Sequence, residues 1–261
     1  MRWLVILSML FVLVGCDNSP EMERWSLPRI SVHKSHLPNL ADTDTEQRKQ
    51  RFTEYLLPLI RLANTQILKE RKILLRAEQQ FENKGSLSSR AEQFMEQLSD
   101  RYNVTFDGNV NEALFEQLKR RVDVIPPNLV LAQAANESAW GTSRFAQEGN
   151  NLFGQWCFKE GCGLVPQQRP DGATHEVQKF RSPYQSLAAY IRNLNTHPAY
   201  HQLRVIRQQQ RLQKNQISGN ALVEGLLYYS EKGQSYVDAL KLLMLHNSDL
   251  WPDLVKLNLA E

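Results

Sequence analysis

The chain has 261 residues, of which 42% are hydrophobic and 23% charged; this composition is that of a folded globular protein and excludes a disordered or collagen-like one. Its formal net charge of +3 at pH 7 is far below that of a dedicated nucleic-acid-binding protein, so no nucleic-acid partner is expected. No stretch repeats with a period of about 20 to 50 residues, which excludes repeat architectures.

Residues 1–15 have the pattern of a secretory signal peptide, because Arg2 precedes an apolar run that is too short to span a membrane. The sequence Leu-Val-Gly-Cys ending at Cys16 resembles the lipobox of bacterial lipoproteins, whose cysteine is acylated. Asp17 resembles the signal that retains such proteins in the inner membrane. We therefore expect a periplasmic protein held at the inner membrane by lipid. The alternative is an ordinary signal peptide with a chance cysteine.

Residues 16–44 contain three prolines and no sustained periodicity, so they are predicted to be a tether between membrane and domain. Helical spacing of apolar residues then begins near Gln47, and Pro58 is expected to kink or divide this helix. Gly85 is expected to end it. The region 45–110 is thus predicted to be a helical extension.

A second helix of this extension is predicted from Ser89, which with Glu92 resembles a capping box. Another amphipathic stretch, at 111–121, is predicted to be a helix that opens a second region, 111–261.

A buried helix is predicted to start at residues 125–127, because two prolines suit the first turn of a helix. Its apolar residues lie on most sides, which predicts a central position. Glu137 lies near the carboxyl end, and Gly141 is expected to stop the helix. The helix dipole and apolar neighbours both disfavour ionisation, so we expect a raised pKa for Glu137, as a general acid requires. A rim glutamate that points to solvent is the alternative.

Cys157 and Cys162 are an even pair once Cys16 is assigned to lipid, and an oxidising compartment predicts a disulfide between them. A metal site needs more ligands than two thiols. The histidine pairs at 33/36 and 197/201 have ligand-like spacing, but one lies in the proline-bearing tether and the other brackets a proline. We therefore expect no metal and no other cofactor.

Four sequence blocks resemble glycoside hydrolase family 73, the bacterial glucosaminidases that cut peptidoglycan. They are Ala-Asn-Glu-Ser-Ala-Trp-Gly at 135–141, Gly-Asn-Asn-Leu-Phe-Gly at 149–154, Lys-Phe-Arg-Ser-Pro-Tyr at 179–184 followed by Ser186, Leu187 and Tyr190, and Tyr229 followed by Tyr236. Each block alone is weak, but their order over about residues 111–246 is specific. The resemblance implies that 111–261 is the catalytic domain. It also implies a lysozyme-like α+β fold that is mainly helical, with a small β-hairpin lobe and a glycan cleft.

The resemblance also implies roles for individual residues. Glu137 would protonate the leaving oxygen of a β-1,4 bond between N-acetylglucosamine and N-acetylmuramic acid, and Tyr229 would position substrate or water. The candidates for sugar binding are three aromatic platforms and two amides: Trp140, Phe153, Trp156, Asn150 and Asn151. Core packing and loop structure are the alternative roles for these five side chains.

The β lobe is predicted as two strand-like runs, 162–168 and 174–180, joined by a turn at 169–172. A disulfide between Cys157 and Cys162 would pin the base of this hairpin. A two-residue turn places Glu176 opposite Gln167, whereas a bulged turn places it opposite Pro166.

The second catalytic group is not evident from the sequence. Family members tend to carry a carboxylate on the first strand of the β lobe, where this chain has Gln167 and Gln168, which cannot ionise. Glu176 is the first candidate, followed by Asp171 and Glu160. If none of them acts, the substrate's acetamido oxygen or a water held by Tyr229 would take the role.

A basic stretch lies between Val177 and Val223, where seven Lys or Arg residues occur without any Asp or Glu. A solvated face is the usual meaning of such a stretch, and attraction to anionic cell-wall glycan or lipid headgroups is a further reading.

Two alternative functions remain open. A lytic transglycosylase also uses a glutamate followed by serine at a helix end, although its Gly-Leu-Met-Gln block is replaced here by Asn-Leu-Phe-Gly at 151–154. A catalytically weak glycan-binding or scaffold protein would keep the cleft without turnover. In each case the expected partners are peptidoglycan strands and the membrane that holds the lipid anchor.

Replacing Cys16 with Ala is expected to move the protein from the membrane fraction to a soluble or unprocessed form, because acyl chains supply the predicted anchor. Metabolic labelling with palmitate measures this change directly. Label on the Cys16→Ala variant would contradict the assignment.

Overall fold

A computed structural model describes residues 25–27, 36–167, 169, 172–213 and 216–252. The signal peptide, Cys16, Asp17, Gln168 and Asp171 lie outside these residues. The helices are α1 (Thr45–Lys84), α2 (Ser89–Arg101), α3 (Glu112–Arg121), α4 (Pro127–Ser138), α5 (Arg144–Gly149), α6 (Pro183–Thr196), α7 (His201–Leu212), α8 (Gly219–Leu222) and α9 (Gln234–His246), with 3-10 turns at Pro198–Tyr200 and Val223–Leu226. The strands are β1 (Trp156–Cys157), β2 (Gly163–Leu164) and β3 (Glu176–Gln178). This mainly helical α+β arrangement confirms the predicted lysozyme-like fold.

The extension is built on the long helix α1, which begins after an Asp44 side-chain cap and ends at Gly85 in the left-handed conformation. The helix continues through Pro58, so a division at that residue was a wrong expectation. Buried apolar residues on both sides of Pro58 hold the two halves against the core, and this packing outweighs the lost backbone hydrogen bond. At α2 the capping residue is Ser88 and not Ser89, since the Ser88 side chain accepts from the Ala91 amide.

Part of the predicted tether belongs to the core. Leu37 and Leu40 are buried, and Trp25 and Leu27 pack against the same cluster. The ring of Trp25 lies 6.4 Å from that of Phe94 in α2. The chain is therefore held to the body of the protein well before α1 begins.

Helix α4 is central, as predicted, with every residue from 127 to 135 buried. It starts with Pro127 in its first turn and packs against α1 and α9. It ends at Ser138 rather than at Gly141, because Ala139 already adopts a left-handed conformation. The Ser138 hydroxyl donates to the Ala134 carbonyl and accepts from the Gly141 amide, which closes the helix end.

Gly141 is required for close packing at this end of α4. A Cβ there would lie 2.8 Å from Cδ2 of Leu37, and the residue has a φ of +79°. The helix end is thus covered by the segment that precedes α1.

A buried ion network joins three parts of the chain. Asp123, in the loop before α4, lies 3.6 Å from Nη1 of Arg71 in α1 and accepts hydrogen bonds from Arg211 in α7. Arg207, also in α7, donates to the Asp123 and Val124 carbonyls. Arg204 is buried as well. Arg204 and Arg207 of the basic stretch are therefore internal, and the expectation that they form part of a solvated face was wrong.

The β lobe is a three-stranded antiparallel sheet in the order β1-β3-β2 and not a simple hairpin. Its register pairs Gly163 with Gln178 and Leu164 with Val177, so both predicted partners of Glu176 were wrong. On the β1 side, Glu176 pairs with Cys157. Gly163 permits this register, because a Cβ there would meet the Val177 carbonyl oxygen at 2.0 Å.

In the described part of the chain, no helix combines the length and apolar character needed to cross a membrane.

Asp123→Ala is expected to cost about 3–5 kcal/mol of unfolding free energy, since it leaves buried guanidinium groups without their carboxylate. Glu148→Ala, which removes an exposed pair with Arg144, should cost no more than about 1 kcal/mol. Denaturant unfolding compares the two variants. A loss below 1 kcal/mol for Asp123→Ala would show that the network is not stabilising.

The wild-type protein should also lose stability in acid through Asp123. Burial is the largest influence and would raise its pKa, but the charges of Arg71 and Arg207 and the hydrogen bond from Arg211 together lower it. Because the folded pKa lies below the unfolded value of about 3.9, this contribution is present above that pH and is lost as pH falls below it. Unfolding between about pH 5 and 2, compared with Asp123→Asn, measures the effect.

Candidate functional site

Glu137 occupies the last turn of α4 and is partly buried. Its Oε1 accepts hydrogen bonds from the Tyr236 hydroxyl at 2.9 Å and from Nδ2 of Asn136 at 3.1 Å. Its Oε2 faces Gly154, where a Cβ would lie 4.0 Å away. One carboxylate oxygen is thus held by side-chain donors, and the other faces a loop residue that has no side chain.

Two tyrosines line this position from the C-terminal part of the chain. The rings of Tyr229 and Tyr236 are stacked with centroids 5.4 Å apart. The Tyr229 hydroxyl donates to the Phe153 carbonyl at 3.1 Å. Burial raises the pKa of both phenols, and the nearby Glu137 charge raises it further. Both tyrosines therefore remain neutral hydroxyl groups.

Trp156 and two other aromatic residues were the candidate sugar platforms. Trp156 is 53% exposed and stacks on His175 with centroids 4.0 Å apart. Phe153 is buried and stacks on Tyr190 with centroids 3.9 Å apart. Phe153 therefore packs in the core, and Trp156 is the candidate platform that stays accessible.

Trp140, the third candidate platform, packs between two aromatic rings. Its centroid lies 5.6 Å from that of Phe52 and 5.5 Å from that of Trp251. These contacts tie the end of α4 to α1 and to the C-terminal segment, which is a packing role.

Asn150 and Asn151 also form structural contacts. Asn150 caps α5 in the left-handed conformation, and its Nδ2 donates to the Phe180 carbonyl. Asn151 donates to the carbonyls of Gln155 and Gln178 and accepts from the amides of Phe153 and Gln155. Both amides hold the loop between α5 and β1 against the chain at Gln178 and Phe180, so their hydrogen bonds are accounted for without an acetamido group.

The β lobe carries the predicted disulfide, which joins Cys157 to Cys162. Glu176 is buried beneath this loop, and its two oxygens accept from the amides of Gly161 at 3.0 Å and Gly163 at 2.7 Å. These hydrogen bonds lower the pKa of Glu176 and keep it ionised. Glu160 is exposed. Glu176 therefore fixes the loop and the register of the sheet.

The metal-ligand candidates that lie close together within the described ranges are Cys157, Cys162 and Glu176. Both thiols are consumed by the disulfide, and the carboxylate is bound to backbone amides. This cluster does not fit a metal ion.

A cleft of about 530 Å³ lies away from Glu137, between α1 and α6. The buried Glu70 lines it, but its carboxylate already accepts from Arg101 and Tyr102. The Glu70 carboxylate is therefore satisfied by partners within the protein.

Sequence reasoning missed two features of the site. Tyr236 was noted in a motif but given no role, although it is a direct partner of Glu137. Phe158, in the disulfide loop two residues after Trp156, is 76% exposed. Their exposure and contacts arise from tertiary structure, so no local pattern signalled them.

Comparison with known proteins agrees with the resemblance found in the sequence blocks. A family model described as mannosyl-glycoprotein endo-beta-N-acetylglucosaminidase matches residues 112–247, which include Glu137, both tyrosines and the β lobe. The protein bax of Escherichia coli (strain K12) is 36% identical over 209 residues, covering 80% of this chain and 73% of that protein. No solved structure gives a significant match. The chain therefore belongs to the glucosaminidase family.

Proposed function

We propose that this protein hydrolyses β-1,4 bonds of peptidoglycan on the reducing side of N-acetylglucosamine, with Glu137 as the general acid. The observation that carries the proposal is the arrangement at the end of α4, where Oε1 of Glu137 is held by Tyr236 and Oε2 faces Gly154. A protonated Oε2 would donate its proton to the glycosidic oxygen as the C–O bond breaks and the sugar becomes oxocarbenium-like.

The choice of peptidoglycan rests on sugar chemistry and on the predicted export of the chain. The matching family model is named for cleavage at N-acetylglucosamine, a sugar that also occurs in peptidoglycan. Acylation of Cys16 and retention at the inner membrane, both of which we propose, would hold the enzyme in the periplasm. Trp156 and Phe158 offer exposed aromatic rings to the apolar faces of sugars.

For the second step we propose that no protein carboxylate attacks the sugar. Glu176 has both oxygens engaged by backbone amides, so it holds the β lobe in shape. The substrate's acetamido oxygen, or a water positioned by the Tyr229 hydroxyl, would capture the cationic carbon. The water that completes hydrolysis would lose its proton to Glu137, which the first step leaves ionised, or to solvent. Tyr229 would remain neutral in this role, because burial raises its pKa.

Purified peptidoglycan digested by the chain lacking residues 1–16 distinguishes the possible functions. Hydrolysis of the proposed kind leaves N-acetylglucosamine at the new reducing ends, which mass spectrometry identifies after borohydride reduction. An anhydro sugar would instead identify a lytic transglycosylase. Binding to the glycan with no new ends would identify a scaffold protein.

Glu137→Gln is expected to lower turnover by about 100- to 10,000-fold, because it removes the proton donor and keeps the shape of the side chain. Glycan sedimentation should show unchanged binding, and the melting temperature should stay close to that of the wild type. Glu148→Gln, an exposed glutamate in the next helix, is the control. Turnover within tenfold of wild type would refute the assignment of Glu137.

Glu176→Gln, Glu160→Gln and Asp171→Asn test the second step together. We expect near-normal turnover for Glu160→Gln and Asp171→Asn. Glu176→Gln should speed hydrogen exchange at the Gly161 and Gly163 amides by about tenfold, because one acceptor oxygen becomes a donor. A loss of turnover above a hundredfold in one variant, with its β lobe still protected from exchange, would instead identify a catalytic carboxylate.

A further inference from the structure

A directed chain of hydrogen bonds lies behind Glu137. The Tyr190 hydroxyl, in α6, donates to Oε1 of Gln133, and Nε2 of Gln133 donates to the Tyr236 hydroxyl at 3.0 Å. Tyr236 in turn donates to Oε1 of Glu137 at 2.9 Å. Gln133 is 0% exposed, so it cannot touch a glycan.

This series of hydrogen bonds runs in one direction, because each phenol has only one proton to donate. Tyr190 gives its proton to the carbonyl end of the Gln133 side chain, so the amide end points to Tyr236. The Tyr236 oxygen is then occupied as an acceptor, and its own proton goes to Glu137. An amide is needed at position 133, since it supplies an acceptor at one end and a donor at the other.

We propose that Gln133 is a positioning residue that commits the Tyr236 proton to Oε1 of Glu137 and thereby places the catalytic proton on Oε2. Oε1 accepts from both Tyr236 and Asn136, and a proton on that oxygen would face two donors. Oε2 faces Gly154, where the absence of a side chain leaves room for the bond to be cleaved. The inference rests on the proposed role of Glu137 as general acid.

Gln133→Met keeps the length of the side chain but removes both polar ends. We expect kcat to fall by about 10- to 100-fold, the equivalent of one hydrogen bond to a charged group, while KM stays within about threefold. Tyr236→Phe should give a similar loss. The double variant should lose no more than either single one, because Gln133 acts through Tyr236. Losses that multiply in the double variant would overturn the proposal.

Gln133→Glu provides a pH-dependent test that a merely structural role would not satisfy. An ionised carboxylate at this position only accepts hydrogen bonds, so it draws the Tyr236 proton away from Glu137. A protonated carboxyl donates to Tyr236 and restores the native direction. We therefore expect kcat of Gln133→Glu to approach that of the wild type at low pH and to fall as pH rises, through a step that wild type and Gln133→Met lack. A wild-type pH profile in this variant would overturn the proposal.

Tyr190→Phe gives an independent measurement if the Gln133 variants fold poorly, as circular dichroism and melting temperature would show. It removes the donor that orients the Gln133 amide and should lower kcat several-fold without a change in KM, whereas an unchanged kcat would count against the proposed role of these hydrogen bonds.

The Glu137→Gln variant separates this inference from the proposed function. If Glu137→Gln retains turnover, the proposed function fails; if it is inactive and Gln133→Met has wild-type kcat, only this inference fails.

Discussion

The buried carboxylate of Asp123 is the interaction on which the position of the central helix depends. It lies at the entry to α4 and binds arginines from α1 and α7, which are remote in sequence. A buried charge with these partners tolerates little displacement, since any movement leaves guanidinium groups unpaired. The start of α4 is therefore fixed against the helical extension and against α7. The extension is part of the same hydrophobic core as the family region.

Helix α4 connects the fixed loop at Asp123 to the candidate site at Glu137. Its side chains from 127 to 135 are all buried, so the helix has no freedom to rotate about its axis. The position of Glu137, two residues beyond this buried run, is set by the same packing. Tyr236 meets it from α9, which also packs against α4. The carboxylate is thus placed by two packed helices. In the β lobe, the loop from Cys157 to Cys162 is fixed by its disulfide and by the amides bound to Glu176.

Local signals predicted much of this fold and little of the site. The structure agrees with three predictions that depend only on neighbouring residues: the helix start at Pro127, the helix end at Gly85 and the disulfide between Cys157 and Cys162. The register of the β lobe was beyond such reasoning, because it depends on Gly163 approaching the Val177 backbone and on amides that bind Glu176. Membership of a motif likewise did not separate exposed residues from core residues. Phe153 and Trp156 lie three residues apart, yet tertiary packing buries one and exposes the other.

If Cys16 is acylated, as proposed, the contact between Trp25 and Phe94 limits how far the protein body can lie from the membrane. Trp25 is nine residues from Cys16, and nine fully extended residues reach about 30 Å at most. With Cys16 acylated, as proposed, the attachment point on the protein body stays within that distance of the lipid headgroups. So short a segment would restrict the proposed cleavage to glycan strands on the membrane side of the cell wall. Lengthening the segment between Cys16 and Trp25 would widen the layer of cell wall that the protein can reach.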